Sequence, residues 1–237
     1  MSAVVPAAGR GSRLGFDGPK ALATIAGQPL IDFVLDALVT EAVEIVIVAS
    51  PSGRDALAEH VRRRYSYREV VVVVQEQPNG SAEAVRIGLQ AASSPLCLVA
   101  WCDQVGLLQS TVADVARRLH EDPQRGVLPI TEVANPYVWM EYDPAGYLQQ
   151  VGRARDGDQR PAVGLSDLGL FGLPREIPLG ASHCADLTRE LDFVYELPCL
   201  SQAGLLDSFV VEELNQTLAV NTGHDLIRAA EIIGVLA

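Results

Sequence analysis

Near its start the chain reads Ala7-Ala8-Gly9-Arg10-Gly11-Ser12-Arg13-Leu14-Gly15 and then closes on Pro19-Lys20. Small residues let main-chain amides approach an anion closely, and the side chains of Arg13 and Lys20 can neutralise a triphosphate. The pattern therefore reads as a phosphate cradle. It is not a Walker loop, because GxxxxGK[ST] is missing, and its glycines do not fit the GxGxxG turn of dinucleotide-binding proteins. Glycine spacing alone leaves a flexible surface loop as the lesser alternative; the two cations and the apolar strand before them weigh further toward phosphate.

A cradle of this kind must be carried by a strand on one side and a helix on the other, and both are legible. Residues 3–7 are a short apolar run, residues 9–18 the glycine-rich loop, and residues 29–38 place apolar side chains at helical spacing. That helix would lend the loop its favourable N-terminal field. The alternation continues with strands at 45–49, 70–74 and 96–101 and helices at 54–64 and 82–92. The Val, Ile and Leu runs are nearly continuous instead of alternating with polar residues, which predicts parallel strands buried on both faces.

Beyond a helix at 112–119 the pattern turns β-rich. A strand is expected at 126–130. Strands at 137–142 and 147–151 are joined by the turn Asp143-Pro144-Ala145-Gly146, and a further strand lies within 163–173. Residues 153–160 read as a surface loop, whereas 203–209 and 222–232 read as helices. No repeat or linker-like tract divides the chain. The expectation is a single α/β domain over residues 1–237, a Rossmann-like, mostly parallel sheet flanked by helices, with an inserted β-rich lobe at about 132–175.

Composition narrows the classes of function. The 237 residues carry a net charge of −12, with 49% hydrophobic and 20% charged side chains, so a folded core is expected. An acidic body repels nucleic acid and anionic membrane alike, and no apolar stretch is long enough to span a bilayer. A soluble, cytoplasmic protein that binds neither is expected. The four cysteines form no Cys-x-x-Cys pair and the four histidines are scattered, so no zinc site is suggested.

The segment 4–38, VVPAAGRGSRLGFDGPKALATIAGQPLIDFVLDAL, resembles the opening of the sugar-1-phosphate nucleotidyltransferases. Three later segments follow in the expected order: Gln77-Pro78-Asn79-Gly80-Ser81-Ala82-Glu83-Ala84, Trp101-Cys102-Asp103-Gln104, and Ala219-Val220-Asn221-Thr222 with Asp225-Leu226. The resemblance implies a GT-A-like nucleotidyltransferase fold. It places Arg13 and Lys20 at the NTP phosphates, and Ala7, Ala8, Gly9 and Gly11 along the nucleotide. Gln77, Gly80 and Ser81 fall near the base, and Asp103 at the catalytic Mg2+, with Asn221 helping to hold the metal. Asp103 can alternatively cap a helix after its strand, and Asn221 or Thr222 can cap the last helix with Asp225 in its first turn. The implied reaction is attack by a phosphate monoester on the α-phosphorus of an NTP, releasing pyrophosphate. Hard Mg2+ suits carboxylate and amide oxygens, and an ionised phosphate needs no protein nucleophile.

The acceptor end departs from the family. Many sugar-specific members carry a Glu-Lys pair where this chain has Gln149-Gln150-Val151-Gly152-Arg153, which leaves a cyclitol phosphate or an unusual sugar phosphate as candidates. Tyr137, Arg153, Arg155, Asp167 and Gly169 occupy the comparable stretch, with Arg153 or Arg155 at the acceptor phosphate; a solvated basic patch reads equally well. Trp139 and Met140 read as core. The opening also resembles the isoprenoid-pathway cytidylyltransferases, which share the reaction, although their Arg-containing segment is replaced here by Gln77-Pro78-Asn79-Gly80. A non-catalytic nucleotide- or sugar-phosphate-binding regulatory protein is the alternative from another class. The base is open, and a homodimer through the inserted lobe is a possible assembly. With no hexapeptide repeat in the sequence, the acetyltransferase domain of some relatives is not expected.

Overall fold

A computed structural model of the chain describes all residues except 10, 181–191, 214–215 and 237. The elements run in the order β1 (Ser2–Ala7), β2 (Thr24–Ile25), β3 (Gln28–Pro29), α1 (Leu30–Leu38), β4 (Glu44–Ala49), α2 (Arg54–Arg64), β5 (Glu69–Val74), α3 (Ser81–Ala91), β6 (Leu96–Ala100) and α4 (Gln109–Glu121). They continue with β7 (Gly126–Ala134), β8 (Val138–Tyr142), β9 (Leu148–Arg153), β10 (Val163–Asp167), β11 (Leu170–Pro174), α5 (Leu197–Gln202), β12 (Leu206–Val210) and α6 (Gly223–Leu236).

Apart from the small β2–β3 ribbon, the strands form one sheet in the order β5-β4-β1-β6-β11-β7-β10-β8-β9, with β12 added alongside β7. The first four of these are mutually parallel, as their unbroken apolar runs predicted. Because side chains alternate across a strand, Ala3, Val5 and Ala7 of β1 pack into one core with α1, α2 and α4. Val4 points into the other, with Val85 and Leu89 of α3, Phe171 and Leu197. The sheet is thus covered on both faces. Beyond β6 it turns antiparallel through β11, β7, β10 and the β8–β9 hairpin.

Two expectations of local structure are corrected. Residues 203–209 are not a helix: α5 stops before Gly204, which adopts φ 70°, and Leu206–Val210 is a strand paired in parallel with Gly126–Ile130 of β7. Ladder pairing overrides a short segment's helical pattern. The strand expected within 163–173 is two strands, broken at Gly169 with φ 68°. Trp139 and Met140 are core residues, each 4% exposed.

Chain order reverses at β1, which has β4 on one side and β6 on the other. The β1–β6 ladder covers only Ser2–Val4, so the two strands part toward their carboxyl ends. Open α/β sheets bind ligands at such a switch point. The glycine-rich loop leaves β1 there, and Trp101 to Gln104 leave β6 there.

Candidate functional site

A cleft of about 650 Å³ opens at this point, lined by the loops after β1 and β6, the start of α3, the β8–β10 region and α6. On its floor the glycine loop folds back on Lys20, whose N–H donates to the Gly9 carbonyl at 3.2 Å. Gly11 has φ +67°, and a Cβ there would stand 3.2 Å from the Lys20 Cα, so the turn that seats Lys20 requires glycine.

The Lys20 side chain reaches across the floor. Its ammonium is ion-paired with Asp103 and donates to Asn221 Oδ1 at 2.9 Å, with the Lys20 and Asp103 side chains 13% and 14% exposed. Asp103 and Asn221, far apart in sequence, meet because residues 103–105 pair with residues 218–220. Val105 N–H donates to the Leu218 carbonyl at 3.0 Å and Val220 N–H to the Asp103 carbonyl at 3.0 Å. Asp225 then fixes Asn221 from behind: one carboxylate oxygen accepts from Asn221 N–H at 3.0 Å, Thr222 N–H at 2.8 Å and the Thr222 hydroxyl at 2.9 Å. The Thr222 hydroxyl accepts from Asp225 N–H at 3.3 Å in return, a reciprocal cap at the start of α6. Asp225 therefore positions Asn221, whose side chain stays turned to the floor.

The Mg2+ implied by the resemblance can be tested against this donor set. Asp103 and Asn221 aim oxygens at a single cationic position, now held by the Lys20 ammonium, and a hard divalent ion that keeps several waters and takes phosphate oxygens fits two such donors. No cluster of three or more His, Cys, Asp or Glu side chains occurs among the described residues.

The start of α3 forms the next wall. Gln75, just past β5, donates to the Gly80 carbonyl at 2.9 Å, and Gly80 enters α3. Ser81 donates to Asp192, and its hydroxyl accepts from Phe193 N–H at 2.8 Å. Phe193 is held in an edge-to-face trio with Phe171 and Trp101, ring centres 5.0 to 6.1 Å apart, and Trp101 forms part of the wall. Asp192 also pairs with Arg153, which is bonded to Asp156 at 2.9 Å and only 4% exposed. Arg153 is thus locked between two carboxylates.

On the β-rich side Tyr137, Arg155 and Asp167, expected from the sequence at the acceptor, line the cleft. Burial pushes the Asp167 carboxyl up to about 6, against the 2.8 Å hydrogen bond it accepts from Gly169 N–H, with Asp192 adding to the rise.

Of the residues singled out from sequence, Ala8, Gly9, Arg13, Lys20, Gly80, Ser81, Asp103, Tyr137, Arg153, Arg155, Asp167 and Asn221 line this one cleft. Ala7 is buried in β1 and Gln77 sits on an exposed turn. Gly11 shapes the loop from beneath, and Gly169 is buried where its carbonyl accepts from Trp101 N–H at 3.0 Å. Helix α1 begins only at Leu30 and contributes no wall residue, which corrects the expectation that its N-terminus lends the loop a field. Sequence reasoning missed Gln75, Asp192 and Arg228. Only Gln75 had a signal, as the first polar residue after a run of valines.

Known proteins align with this architecture. The sequence matches the MobA-like NTP transferase domain family over residues 3–166. It is 28% identical over 179 residues to the bifunctional protein GlmU of Zymomonas mobilis, covering 73% of this chain and 39% of that protein. It is 34% identical over 140 residues to 2-C-methyl-D-erythritol 4-phosphate cytidylyltransferase of Corynebacterium efficiens, covering 56% of each. The chain thus spans about two-fifths to just over half of these relatives. A Bacillus anthracis protein provisionally named a glucose-1-phosphate thymidylyltransferase, solved with sucrose, shares the fold with a TM-score of 0.78 at 13% identity over 98% of this chain and 94% of that one.

Proposed function

The chain belongs to the family of MobA-like NTP transferase domains, and from that premise we propose that it transfers a nucleotidyl group from an NTP to a sugar 1-phosphate or a related phosphorylated small molecule such as a cyclitol phosphate. The observation that carries this reading is the convergence of Lys20, Asp103 and Asn221 on the floor of a cleft bounded by a glycine-rich loop.

In this reading the loop amides after β1 and the Arg13 side chain receive the triphosphate, and Lys20 stands at the reacting phosphorus. An oxygen of the acceptor's phosphate forms a bond to the α-phosphorus, the bond from that phosphorus to the α–β bridging oxygen breaks, and pyrophosphate leaves with the electron pair. No proton need be removed from an ionised phosphate, so the chain's task is alignment and stabilisation of charge. Mg2+, when bound, supplies Lewis-acid neutralisation of the phosphate oxygens, and Asp103 and Asn221 are the residues that would hold it. Asp225 keeps the Asn221 main chain in place, and the Ser81–Asp192–Arg153 network keeps the nucleotide wall registered with the acceptor wall.

Arg153, closed between Asp156 and Asp192, is assigned to that scaffold and not to the acceptor phosphate. Tyr137 and Asp167 suit the hydroxyls of a polyol acceptor. We take residues 132–175 to be the acceptor-side lobe of a single domain. A second acceptor class, an erythritol-phosphate-like polyol with CTP as donor, is favoured by the similarity to the Corynebacterium cytidylyltransferase. One assay separates the readings: pyrophosphate release with each of ATP, GTP, CTP, UTP and dTTP, Mg2+, and a panel of sugar, cyclitol and polyol phosphates. Release with one donor and acceptor pair is expected; nucleotide binding without release on every pair would leave the non-catalytic alternative.

A further inference from the structure

Five cationic side chains line the cleft among the described residues: Arg13, Lys20, Arg153, Arg155 and Arg228. Three are engaged within the protein. Lys20 is held by Asp103 and Asn221, Arg153 by Asp156 and Asp192, and Arg155 has a partner of its own. Arg13 and Arg228 are exposed and form no ion pair with any described residue, in a chain whose net charge is −12. Two uncommitted cations facing one cleft of an acidic protein call for an anion.

Their placement says which part of the ligand that anion is. Arg13 lies in the 3-10 turn Ser12–Leu14 of the glycine loop, and the neighbouring Leu14 packs against the same apolar cluster, built on Ala23, Leu30, Val220 and Ala229, that receives Leu226, Ile232 and Ile233 of α6. The glycine loop and the last helix thus share one apolar cluster and border the same cleft. Asp225, Arg228 and Ile232 follow at helical spacing and all face the cleft, with Asp225 fixing Asn221 and Arg228 one turn further on. The reacting phosphorus belongs beside Lys20, so the phosphates beyond it fall to Arg13 and Arg228.

We propose that Arg228 is a binding residue for the β- and γ-phosphates of the NTP, and so for the pyrophosphate that leaves, acting with Arg13 as a pair of guanidinium forks from opposite ends of the sequence. The assignment rests on the nucleotidyl-transfer reading and adds to it a site on α6. A guanidinium binds phosphate oxygens in bidentate fashion, which an ammonium does not, so the position discriminates arginine from lysine.

The test is calorimetric titration of inorganic pyrophosphate with Mg2+ into the wild type and the Arg228→Met, Arg228→Lys and Arg62→Met variants. Arg62 is exposed on α2 outside the cleft and controls for loss of a charge alone. Arg228→Met is expected to raise the dissociation constant at least about tenfold, Arg228→Lys by less than that, and Arg62→Met by under about twofold. Failure of the wild type to bind pyrophosphate, or equal affinity in Arg228→Met, would overturn the assignment. Pyrophosphate affinity that depends on Arg228 while the donor and acceptor screen yields no turnover would refute the reaction and leave the α6 phosphate site standing.

Discussion

Lys20 and Asp103 form a buried-edge ion pair that does two jobs, and removing either partner separates them. Lys20→Ala and Asp103→Asn are each expected to lower turnover by about 10²–10³, the loss seen when one donor to a developing anion is removed. Both variants should keep a wild-type far-ultraviolet circular dichroism spectrum, and near-wild-type rates in both would remove the proposed floor of the site. Asp167 makes a thermodynamic prediction. Its carboxyl ionises near 6 in the folded chain against an ordinary 3.8, so the folded state holds the proton more tightly than the unfolded state. The stability it contributes is complete below about pH 4 and is lost as pH rises through about 6. Asp167→Asn abolishes that titration while keeping an acceptor for Gly169 N–H. Its stability relative to wild type, from urea melts, should therefore increase between pH 4 and pH 7 and then level off; a constant difference would contradict the raised ionisation. The residues behind these tests were unequally legible. Lys20 and Asp103 could be read from motif and order. The engagement of Arg153 could not, because its partners Asp156 and Asp192 have no periodic or motif signature and are defined only by the fold.

At the level of elements, α3 is what positions Gly80 and Ser81, and Gly88 sets how closely it lies on the sheet. A Cβ at Gly88 would stand 2.3 Å from Val4 Cγ1 and 3.1 Å from Val48 Cγ2, in a fully buried layer. Gly88→Ala should cost about 1–3 kcal/mol through overpacking, even though alanine is the better helix former. It should also raise the KM for NTP more than it lowers kcat, since the displaced helix carries Gly80 and Ser81 of the proposed nucleotide wall. Thermal melts and steady-state kinetics check the two effects; a more stable variant would show that helix propensity outweighs packing here. The helices α1 to α4 and the first four parallel strands were readable because their apolar periodicity is enforced by two cores. The short strand β12 was not, since five residues flanked by a helix stop carry too little pattern to reveal a pairing with β7.

Across the whole molecule, one sheet runs from β5 through β1 and β6 to the β8–β9 hairpin, so the parallel half and the proposed acceptor lobe share a continuous hydrogen-bonded ladder. The chain has two tryptophans, Trp101 beside β6 and Trp139 in β8, which report on the two regions separately. Trp139→Phe and Trp101→Phe, each leaving a single tryptophan, are expected to give fluorescence melts that coincide with the circular dichroism melt of the same variant. A separate, lower transition for Trp139 would mean that residues 132–175 unfold as an independent unit. The acidic body and the basic cleft also coexist at this scale: a net charge of −12 surrounds a pocket in which Arg13 and Arg228 remain available to a polyanion.

Sequence by itself determined the α/β class, the glycine-rich loop after β1 and the order of the segments that carry Lys20, Asp103 and Asn221, because strand and helix periodicity and backbone-dictated glycines are local properties of the chain. Only the tertiary structure decided which cations are free and which are spent. Whether Arg153 or Arg228 can receive an anion depends on the carboxylates each meets in the fold: Asp192, 39 residues on, closes Arg153 against Asp156, whereas Arg228 on α6 reaches the cleft without an ion pair to any described residue.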